Sequence, residues 1–354
     1  MKNILLLRFS SRKHGNCWIA SDLLIKGMAC NGVQVESVTV PSLSLKSCIG
    51  CFGCNNGELK CVMNDDLESL KEKLIIADAI ILVAPCFIFS APSSMKAIMD
   101  RMAAWALHEI ETGGKRRLGI SISMAGATGE WHSMQRSLPS LFLKLMNCEV
   151  AFLKTYENVG IKGEILLNPA ALQEIETVAE SIKLTLLGES AKFPSGHEDE
   201  RLSYCPSCGN DSFRIIERKT FVCSVCGKAQ KATAFSTRPI ESMDKFSPSG
   251  AQGHSALIGG KIASGFAASE EIARRLDTYL TTGAIVTSEY HPQTEMETQA
   301  EIEWTEEGLD EFHRVVPKAF QSFVKKAVER KAIEQGVNII TAELFLEIKK
   351  ASGN

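Results

Sequence analysis

Short runs with strand character alternate with segments of helical periodicity along the first half of the chain. The strand-like runs, either apolar throughout or alternating, occupy residues 4–7, 33–40, 79–84, 118–124 and 151–156. Segments with helical spacing of apolar positions lie at residues 17–30, 66–77, 93–107, 133–146 and 169–187. Because strand and helix alternate, we predict an α/β fold with a doubly wound parallel sheet over residues 1–190.

The pattern changes after this α/β region. Residues 191–203 are polar and rich in Glu, Ser, Gly and Asp, which indicates a linker. Residues 204–230 contain a second group of cysteines, with a short hairpin predicted between its two halves. Residues 231–303 are predicted to form an extended connector with a helix at 272–280.

Residues 304–354 carry clear helix boundaries. Thr305 and Thr341 each precede a segment of helical periodicity, as an N-cap residue does. Pro317 is predicted to start a helix that stops at Gly336. We therefore predict a small helical module at the end of the chain.

Composition and charge limit the kinds of partner. The 354 residues are 45% hydrophobic and 23% charged, as is usual for globular domains. A formal net charge of −3 gives no general attraction for nucleic acid or an anionic membrane. The apolar run at residues 79–89 is too short to span a membrane, and the N-terminal segment lacks a signal-peptide pattern. We expect a cytoplasmic protein that binds neither nucleic acid nor membrane.

Twelve cysteines in a reducing compartment favour metal or redox chemistry over a disulfide framework. Four of them lie in one stretch, as Cys48, Cys51, Cys54 and Cys61. Thiolates at every third position can bind one face of an iron–sulfur cluster, and a fourth just beyond can close it. Zinc, disulfides and an inert loop remain alternatives, but zinc is usually bound by two separated pairs. The stretch favours a cluster.

The second group of cysteines has the separated arrangement that the first lacks. Cys205 and Cys208 form one Cys-x-x-Cys pair, Cys223 and Cys226 form another, and a glycine follows each pair. The group resembles a zinc ribbon and, less closely, a rubredoxin-type site that holds one iron. A structural Zn²⁺ is the favoured interpretation, since a closed four-sulfur zinc site supplies folding energy.

Three loops follow strands of the predicted sheet, where ligands of doubly wound folds bind. The first can cradle a phosphate, the second is aromatic and apolar, and the third is rich in main-chain amides, which together suit FMN. Their candidate binding residues are Ser10, Arg12, Gly15, Asn16 and Cys17 in the first, Pro85, Cys86, Phe87, Ile88, Phe89 and Ser90 in the second, and Gly126, Ala127, Thr128, Gly129 and Glu130 in the third.

A family resemblance rests on these loop residues and on the first cysteine stretch with Asp65 and Asp66 after it. Lys96, Asp100 and Arg101 are also part of the matching pattern. Residues 1–187 resemble the flavodoxin-like iron–sulfur flavoproteins, a branch of the NADPH-dependent FMN reductase superfamily. The resemblance implies a flavodoxin-like fold, FMN in the three loops, and a [4Fe-4S] cluster on the first cysteine stretch. It also implies a homo-oligomer, a dimer or tetramer, in which cluster and flavin of neighbouring subunits approach each other.

The chain departs from the family pattern at individual positions. Phe9 and Ser11 stand where a glycine and a proline are usual, Cys17 replaces a hydroxyl residue, and Phe87 stands where tyrosine is common. Main-chain amides can bind a phosphate despite these changes. Cys86 is interpreted as a small apolar residue, and no catalytic side chain is assigned.

Residues 304–351 resemble the small C-terminal helical domain of the dark-operative protochlorophyllide reductase B subunit. The matching positions are Trp304, Pro317, Phe320, Glu329, Gly336, Ile340, Thr341 and Glu343. The catalytic domains of that enzyme have no counterpart in this chain, so the resemblance implies no porphyrin chemistry. We expect a bundle that stabilises an oligomer or caps a neighbouring site.

The main hypothesis is an oxidoreductase or electron-transfer protein in which FMN exchanges electrons with a [4Fe-4S] cluster. An electron donor or acceptor protein such as a ferredoxin is an expected partner. A cluster-independent NAD(P)H-dependent FMN or quinone reductase is the first alternative. The second is a redox-responsive interaction protein that uses the ribbon and the helical tail.

Overall fold

The computed structural model describes residues 1–55, 57–194, 205, 207–217, 220–231, 268–288, 302–316 and 321–351. Most of the linker predicted at 191–203 and most of the connector predicted at 231–303 lie outside the described residues. The chain divides into two compact units, residues 1–165 with 170–236 and residues 166–169 with 237–354.

The first unit contains a five-stranded parallel sheet. Its strands are β1 (Lys2–Arg8), β2 (Val33–Thr39), β3 (Ala79–Pro85), β4 (Arg117–Met124) and β5 (Cys148–Tyr156). Their order is β2-β1-β3-β4-β5, with every neighbouring pair parallel. This is the strand order of flavodoxin, so the predicted flavodoxin-like fold is confirmed, and the order reverses between β1 and β3. The apolar central strand β3 is buried along almost its whole length.

Five helices flank this sheet. They are α1 (Asn16–Met28), α2 (Leu67–Ile76), α3 (Ser93–Glu111), α4 (Ser137–Leu145) and α5 (Pro169–Leu187). Leu5, Leu7 and alternate residues of β3 pack in one core with α2, α3 and α4. Helices α1 and α5 approach closely, since a Cβ on Gly27 would stand 2.6 Å from the Cβ of Ala179. Helix α4 starts four residues later than predicted, because the segment before it turns, with the Gln135 N–H bonded to the His132 carbonyl.

The second cysteine group lies on a small antiparallel sheet within the first unit. The predicted hairpin is present as β6 (Phe213–Glu217) and β7 (Thr220–Cys223), and a third strand, β8 (Ala229–Lys231), pairs with β7. We call residues 205–231 the ribbon. The sequence pattern did not indicate β8, since three residues are too few to show a period.

In the second unit α6 (Ser269–Thr282) ends at Gly283, which has a left-handed φ of 72°. Three helices follow, α7 (Glu306–Val315), α8 (Gln321–Glu334) and α9 (Ala342–Ala351). Two-residue strands β9 (Glu303–Trp304) and β10 (Ile339–Ile340) pair in parallel. Thr305 caps α7 by accepting the Gly308 N–H, and the Thr341 hydroxyl accepts the Leu344 N–H at 3.2 Å, so both predicted caps are confirmed. Pro317 and Phe320 lie outside the described residues.

Across the described ranges, no helix is both long and apolar enough to cross a membrane.

Candidate functional site

Four loops meet at the carboxyl edge of the parallel sheet. They follow β1, β3, β4 and β5, and we call them the β1, β3, β4 and β5 loops, residues 9–15, 86–92, 125–136 and 157–163. The first three are the predicted cofactor loops. The sequence pattern did not indicate the β5 loop as part of the site, although it contains an Asn and a Gly directly after a strand.

The β1 and β5 loops are joined by the side chain of Asn16. Its amide donates to the carbonyls of Val159 at 2.6 Å and Ile161 at 2.8 Å, and its oxygen accepts the Ile165 N–H at 3.1 Å. Arg12 adds a bond to the Gly160 carbonyl at 3.3 Å. Since the amide of Asn16 is buried and engaged in these bonds, it positions the β5 loop, and a ligand contact from Asn16 would come from its main chain.

The N-terminus of α1 offers an anion site. Gly15 is its N-cap, and the first turn, Asn16 to Ile19, carries no carboxylate. The first N–H groups of a helix lack partners within that helix and carry partial positive charge. Burial raises the pKa of Cys17 to about 12, so this thiol stays neutral and does not repel a phosphate. Ser10 supports the loop by accepting the Arg12 N–H at 3.3 Å.

The β4 and β5 loops touch through a pair of glycines. A Cβ on Gly126 would stand 3.1 Å from the Cα of Gly160, and a Cβ on Gly160 would stand 2.9 Å from the Cα of Gly126. The Val159 N–H donates to the Ala125 carbonyl at 2.9 Å. His132 and Glu157 also join the two loops, with 2.6 Å between Nε2 and Oε1. At the contact of Gly126 with Gly160 the main chain therefore carries no side-chain bulk, as the edge of a flat ring requires. Ala127 and Thr128 follow in the same loop, Gly129 and Glu130 begin a short 3-10 turn (Gly129–His132), and the Glu130 side chain lies outside the described part.

The β3 loop is strained and apolar. The Phe87 N–H donates to the Ser90 carbonyl, and the Ser90 N–H donates to the Phe87 carbonyl. Between these two residues, Ile88 and Phe89 have φ values of 44° and 68°. A β-branched residue in this conformation is an outlier, and such strain is concentrated at functional sites. Phe87 is 60% exposed and Ile88 83% exposed, while Phe89 stacks on Trp131 with 5.5 Å between ring centroids. Pro85 ends β3, and burial raises the pKa of Cys86 to about 11, in agreement with its interpretation as an apolar residue.

The first cysteine stretch forms an open loop before α2, which we call the cluster loop, residues 46–65. Cys48 and Cys51 are exposed, and Cys54 and Cys61 are half-buried. Gly50, at φ 67°, supplies one of its turns, and its N–H donates to the Cys48 sulfur at 3.4 Å. The loop therefore presents its first two thiols outward.

A buried ion pair closes the base of the cluster loop. Arg101 on α3 donates to Asp65 at 2.9 Å and 2.5 Å and to the Lys46 carbonyl at 3.0 Å, and each side chain of the ion pair is 1% exposed. Its Nε also donates to the Cys61 sulfur at 3.4 Å. Burial alone would lower the pKa of Arg101, but Asp65 and Cys61 outweigh it and leave the pKa raised. The guanidinium that closes the loop therefore also contacts the sulfur of a candidate cluster ligand.

We expect Asp65→Asn to weaken folding by about 2–3 kcal/mol at neutral pH. The Arg101 guanidinium holds the pKa of Asp65 down at about 2. Because the folded pKa is below the unfolded one, the pair stabilises the fold fully above about pH 5, and the contribution falls as pH falls. Urea unfolding measures the difference in unfolding free energy between wild type and Asp65→Asn. The part of this difference that depends on the Asp65 charge should fall to roughly half by pH 3.

Asp100→Asn is the matched control for this prediction. Asp100 lies on the same helix and pairs with the exposed Lys96, so its removal should change the unfolding free energy by less than about 0.5 kcal/mol. A difference for Asp65→Asn that stays constant from pH 7 to pH 3 would contradict the assigned role of the ion pair.

The second cysteine group is gathered as a metal site requires. In the described part of the chain, the ligand atoms of Cys205, Cys208, Cys223 and Cys226 all lie within 4.8 Å of one another. The Cys205–Cys226 and Cys208–Cys223 sulfur distances are 3.4 Å and 3.6 Å. Tetrahedral sulfurs bound to zinc at ~2.3 Å stand about 3.8 Å apart, so the set fits a single ion.

Equivalent main-chain hydrogen bonds shape the two knuckles of the ribbon. The Gly209 N–H bonds to the Cys205 carbonyl at 2.8 Å, and the Gly227 N–H to the Cys223 carbonyl at 3.0 Å, which gives both knuckles one geometry. Burial raises the pKa of Cys208 to about 12. Burial opposes ionisation of Cys223 as well, yet main-chain N–H groups lower the pKa of that thiol to about 7.

The cysteines of the cluster loop are not gathered in this way within the described residues. A four-iron cluster attaches each thiolate to a different iron, so its ligands stand further apart than those of one ion.

Comparisons with known proteins show which families the α/β unit is similar to. A family profile described as NADPH-dependent FMN reductase matches residues 2–156. An iron–sulfur flavoprotein of Archaeoglobus fulgidus is 36% identical over 94 residues, 26% of this chain and 42% of that protein. An iron–sulfur flavoprotein of Methanosarcina thermophila is 27% identical over 118 residues, 33% of this chain and 60% of that protein. The matches span about half of the length of these relatives.

Among solved structures, a flavone reductase is similar with a TM-score of 0.48 and 17% identity, covering 81% of this chain and all of that chain. The strand order, the four loops and the family match agree with one another. Residues 2–156 form a flavodoxin-like domain that matches the NADPH-dependent FMN reductase profile and is similar in sequence to the iron–sulfur flavoproteins.

Proposed function

We propose that the protein is a flavin-dependent oxidoreductase in which FMN binds at the four loops and a [4Fe-4S] cluster binds Cys48, Cys51, Cys54 and Cys61. One observation carries this proposal. Helix α3 begins directly after the apolar β3 loop, and its Arg101 holds the base of the cluster loop and contacts Cys61. The two candidate cofactor sites are thus attached to one helix, about 12 Å apart along its axis.

The residues present fit a flavin mononucleotide. The α1 N-terminus and Arg12 supply positive charge for the phosphate, Phe87 and Ile88 supply an exposed apolar wall, and Gly126 with Gly160 leaves main-chain groups accessible. FMN supplies two-electron chemistry and can pass the electrons on singly, while an iron–sulfur cluster carries one at a time. The four loops would bind and orient the flavin, and Arg101 holds the base of the cluster loop through Asp65 and Cys61.

We further propose Zn²⁺ as the ion held by Cys205, Cys208, Cys223 and Cys226. The sulfur spacing suits any tetrahedral ion of this size, so a rubredoxin-like iron is the competing assignment. The knuckles are closed by four protein sulfurs and three of them are buried, which is the arrangement of a structural site.

A homo-oligomer, a dimer or tetramer, is proposed from the exposed apolar residues of the cluster loop. Ile49 is 68% exposed, Phe52 77% and Val62 62%. Several exposed apolar side chains on one loop form the kind of surface patch that marks an interaction site. An electron donor or acceptor protein such as a ferredoxin is the other proposed partner of this surface.

Anaerobic reductive titration tests the proposed function. Chemical reduction of the holoprotein should consume about three electrons per chain, two by FMN and one by the cluster. A total of about two electrons, with NAD(P)H bleaching the flavin rapidly, would support the cluster-independent FMN or quinone reductase instead. That alternative is favoured by one observation, the exposure of Cys48 and Cys51.

The interaction-protein alternative is tested by a truncation that respects the two units. Deleting residues 237–354 leaves the ribbon with the α/β unit to which it belongs. Loss of partner binding with an unchanged three-electron titration would make the second unit a docking module. Loss of the electron transfer itself would contradict that assignment.

A further inference from the structure

The ribbon is attached to the flavodoxin-like domain by hydrogen bonds to its own knuckle. The Ser140 hydroxyl on α4 donates to the Cys208 carbonyl at 2.8 Å, and Arg136 Nε donates to the Gly209 carbonyl at 3.0 Å. Both bonds are buried. Gly209 packs so closely on β5 that a Cβ there would stand 3.2 Å from the Cβ of Leu153. A candidate metal ligand and its neighbour are therefore part of the interface.

The same segment contacts the candidate flavin site on its other side. The Met134 N–H donates to the Phe89 carbonyl at 3.0 Å, and the Met134 carbonyl accepts a hydrogen bond from the Ser90 hydroxyl at 3.3 Å. The buried Gln135 amide donates to the Ser123 hydroxyl of β4 at 2.9 Å. Residues 134, 135 and 136 thus bind the β3 loop, the sheet and the ribbon in succession.

We propose that the metal ion of the ribbon is a structural determinant of the flavin site, whose occupancy holds residues 134–136 and through them the β3 loop in the FMN-binding conformation. The inference rests on the proposed flavin function. It adds a role for the ribbon metal that is neither catalytic nor confined to the ribbon.

Two physical reasons support this coupling. A three-stranded sheet of this size has too small a core to fold without its metal, so metal binding supplies its folding energy. When the ribbon unfolds, Arg136 loses the Gly209 carbonyl as an acceptor, and Ser140 loses the Cys208 carbonyl. Arg136 is only 5% exposed and Ser140 is fully buried. A buried charged group cannot remain with an acceptor missing, so the segment rearranges.

The proposal is tested with Cys208→Ala and Ser140→Ala in the full chain, with zinc content, FMN dissociation constant and hydrogen exchange as readouts. Cys208→Ala should lose the metal, weaken FMN binding on the order of tenfold or more, and lose amide protection at residues 86–90 and 134–136. Ser140→Ala should keep the metal and weaken FMN binding severalfold. Arg214→Ala, on an exposed position of β6, is the control and should change neither.

The outcomes separate this inference from the function on which it rests. FMN binding within twofold of wild type in a metal-free Cys208→Ala protein would overturn the inference and leave the flavin function standing. Failure of the wild-type protein to bind FMN would overturn the flavin function. In that event, or when Cys208→Ala does not fold, amide hydrogen exchange of Ser140→Ala tests the coupling between the ribbon and the β3 loop. Protection at residues 86–90 equal to that of wild type would contradict the coupling.

Discussion

Cys51→Ala is expected to remove most of the protein's cluster iron, from about four atoms per chain to a small fraction, while FMN and ribbon zinc stay bound. Cys51 lies at the exposed tip of the cluster loop, so the substitution removes a thiolate without opening a cavity in the core. Three thiolates hold a cubane weakly, and the uncovered iron is open to solvent and oxygen. The measurement is iron and acid-labile sulfide per chain after anaerobic purification, with the visible spectrum of the flavin as the internal reference.

Cys30→Ala is the matched control, since Cys30 is half-buried and lies outside both cysteine groups. It should leave iron, sulfide, zinc and FMN unchanged. Retention of all iron by Cys51→Ala would contradict the ligand assignment. Loss of iron from the control as well would show that the iron depends on general stability and not on the cluster loop.

Gly160→Ala is expected to weaken FMN binding by roughly 10- to 100-fold, equivalent to about 1.4–3 kcal/mol. The added Cβ would stand 2.9 Å from the Gly126 Cα, a main-chain atom that cannot rotate away. Asn16 and Arg12 hold the β5 loop on one side, and the Ala125–Val159 hydrogen bond holds it on the other. The contact is therefore relieved only by separating the β4 and β5 loops. Fluorescence titration of flavin-free protein with FMN measures the effect.

Gly113→Ala separates this effect from loss of stability. Gly113 follows α3 with a φ of 70° and has open space at the Cβ position, so alanine there costs about 1 kcal/mol of folding without touching the loops. Its FMN affinity should match wild type. A Gly160→Ala protein that binds FMN within twofold of wild type would show that the glycine contact does not shape the site.

The sheet could be predicted from the sequence because burial of its strands shows directly in their composition. The run at β3 is apolar throughout and is followed by an aromatic loop, so the strand and its loop were both predicted. The spacing of the cysteines predicts the two candidate metal sites from local sequence in the same way. Local patterns of this kind can be recognised in a sequence when the fold is not known.

Other parts of the site depend on contacts between distant residues. Gly160 is part of the candidate site because its main chain approaches Gly126 closely, and nothing near Gly160 in the sequence indicates that approach. Asn16 was predicted as a cofactor residue by its position, whereas its amide binds the β5 loop. The attachment of the ribbon through Arg136 and Ser140 likewise joins residues about 70 positions apart, which no periodicity encodes.

The second unit shows the same division. Its N-caps at Thr305 and Thr341 were predicted because a cap is a local signal, while the β9–β10 pair was not, since two-residue strands carry no pattern. Its core joins Trp304, Phe312 and Phe345, and the Trp304 indole donates to Glu329 at 2.9 Å. Similarity of this unit to the reductase B subunit stays a prediction.

The most direct test of the central claim is anaerobic purification followed by quantification of iron, sulfide, zinc and FMN, with electron paramagnetic resonance of the reduced protein. We predict about four iron, four sulfide, one zinc and one FMN per chain, and a cluster signal on reduction. Freshly prepared anaerobic protein that contains FMN but no iron or sulfide would contradict the assignment of the cluster loop.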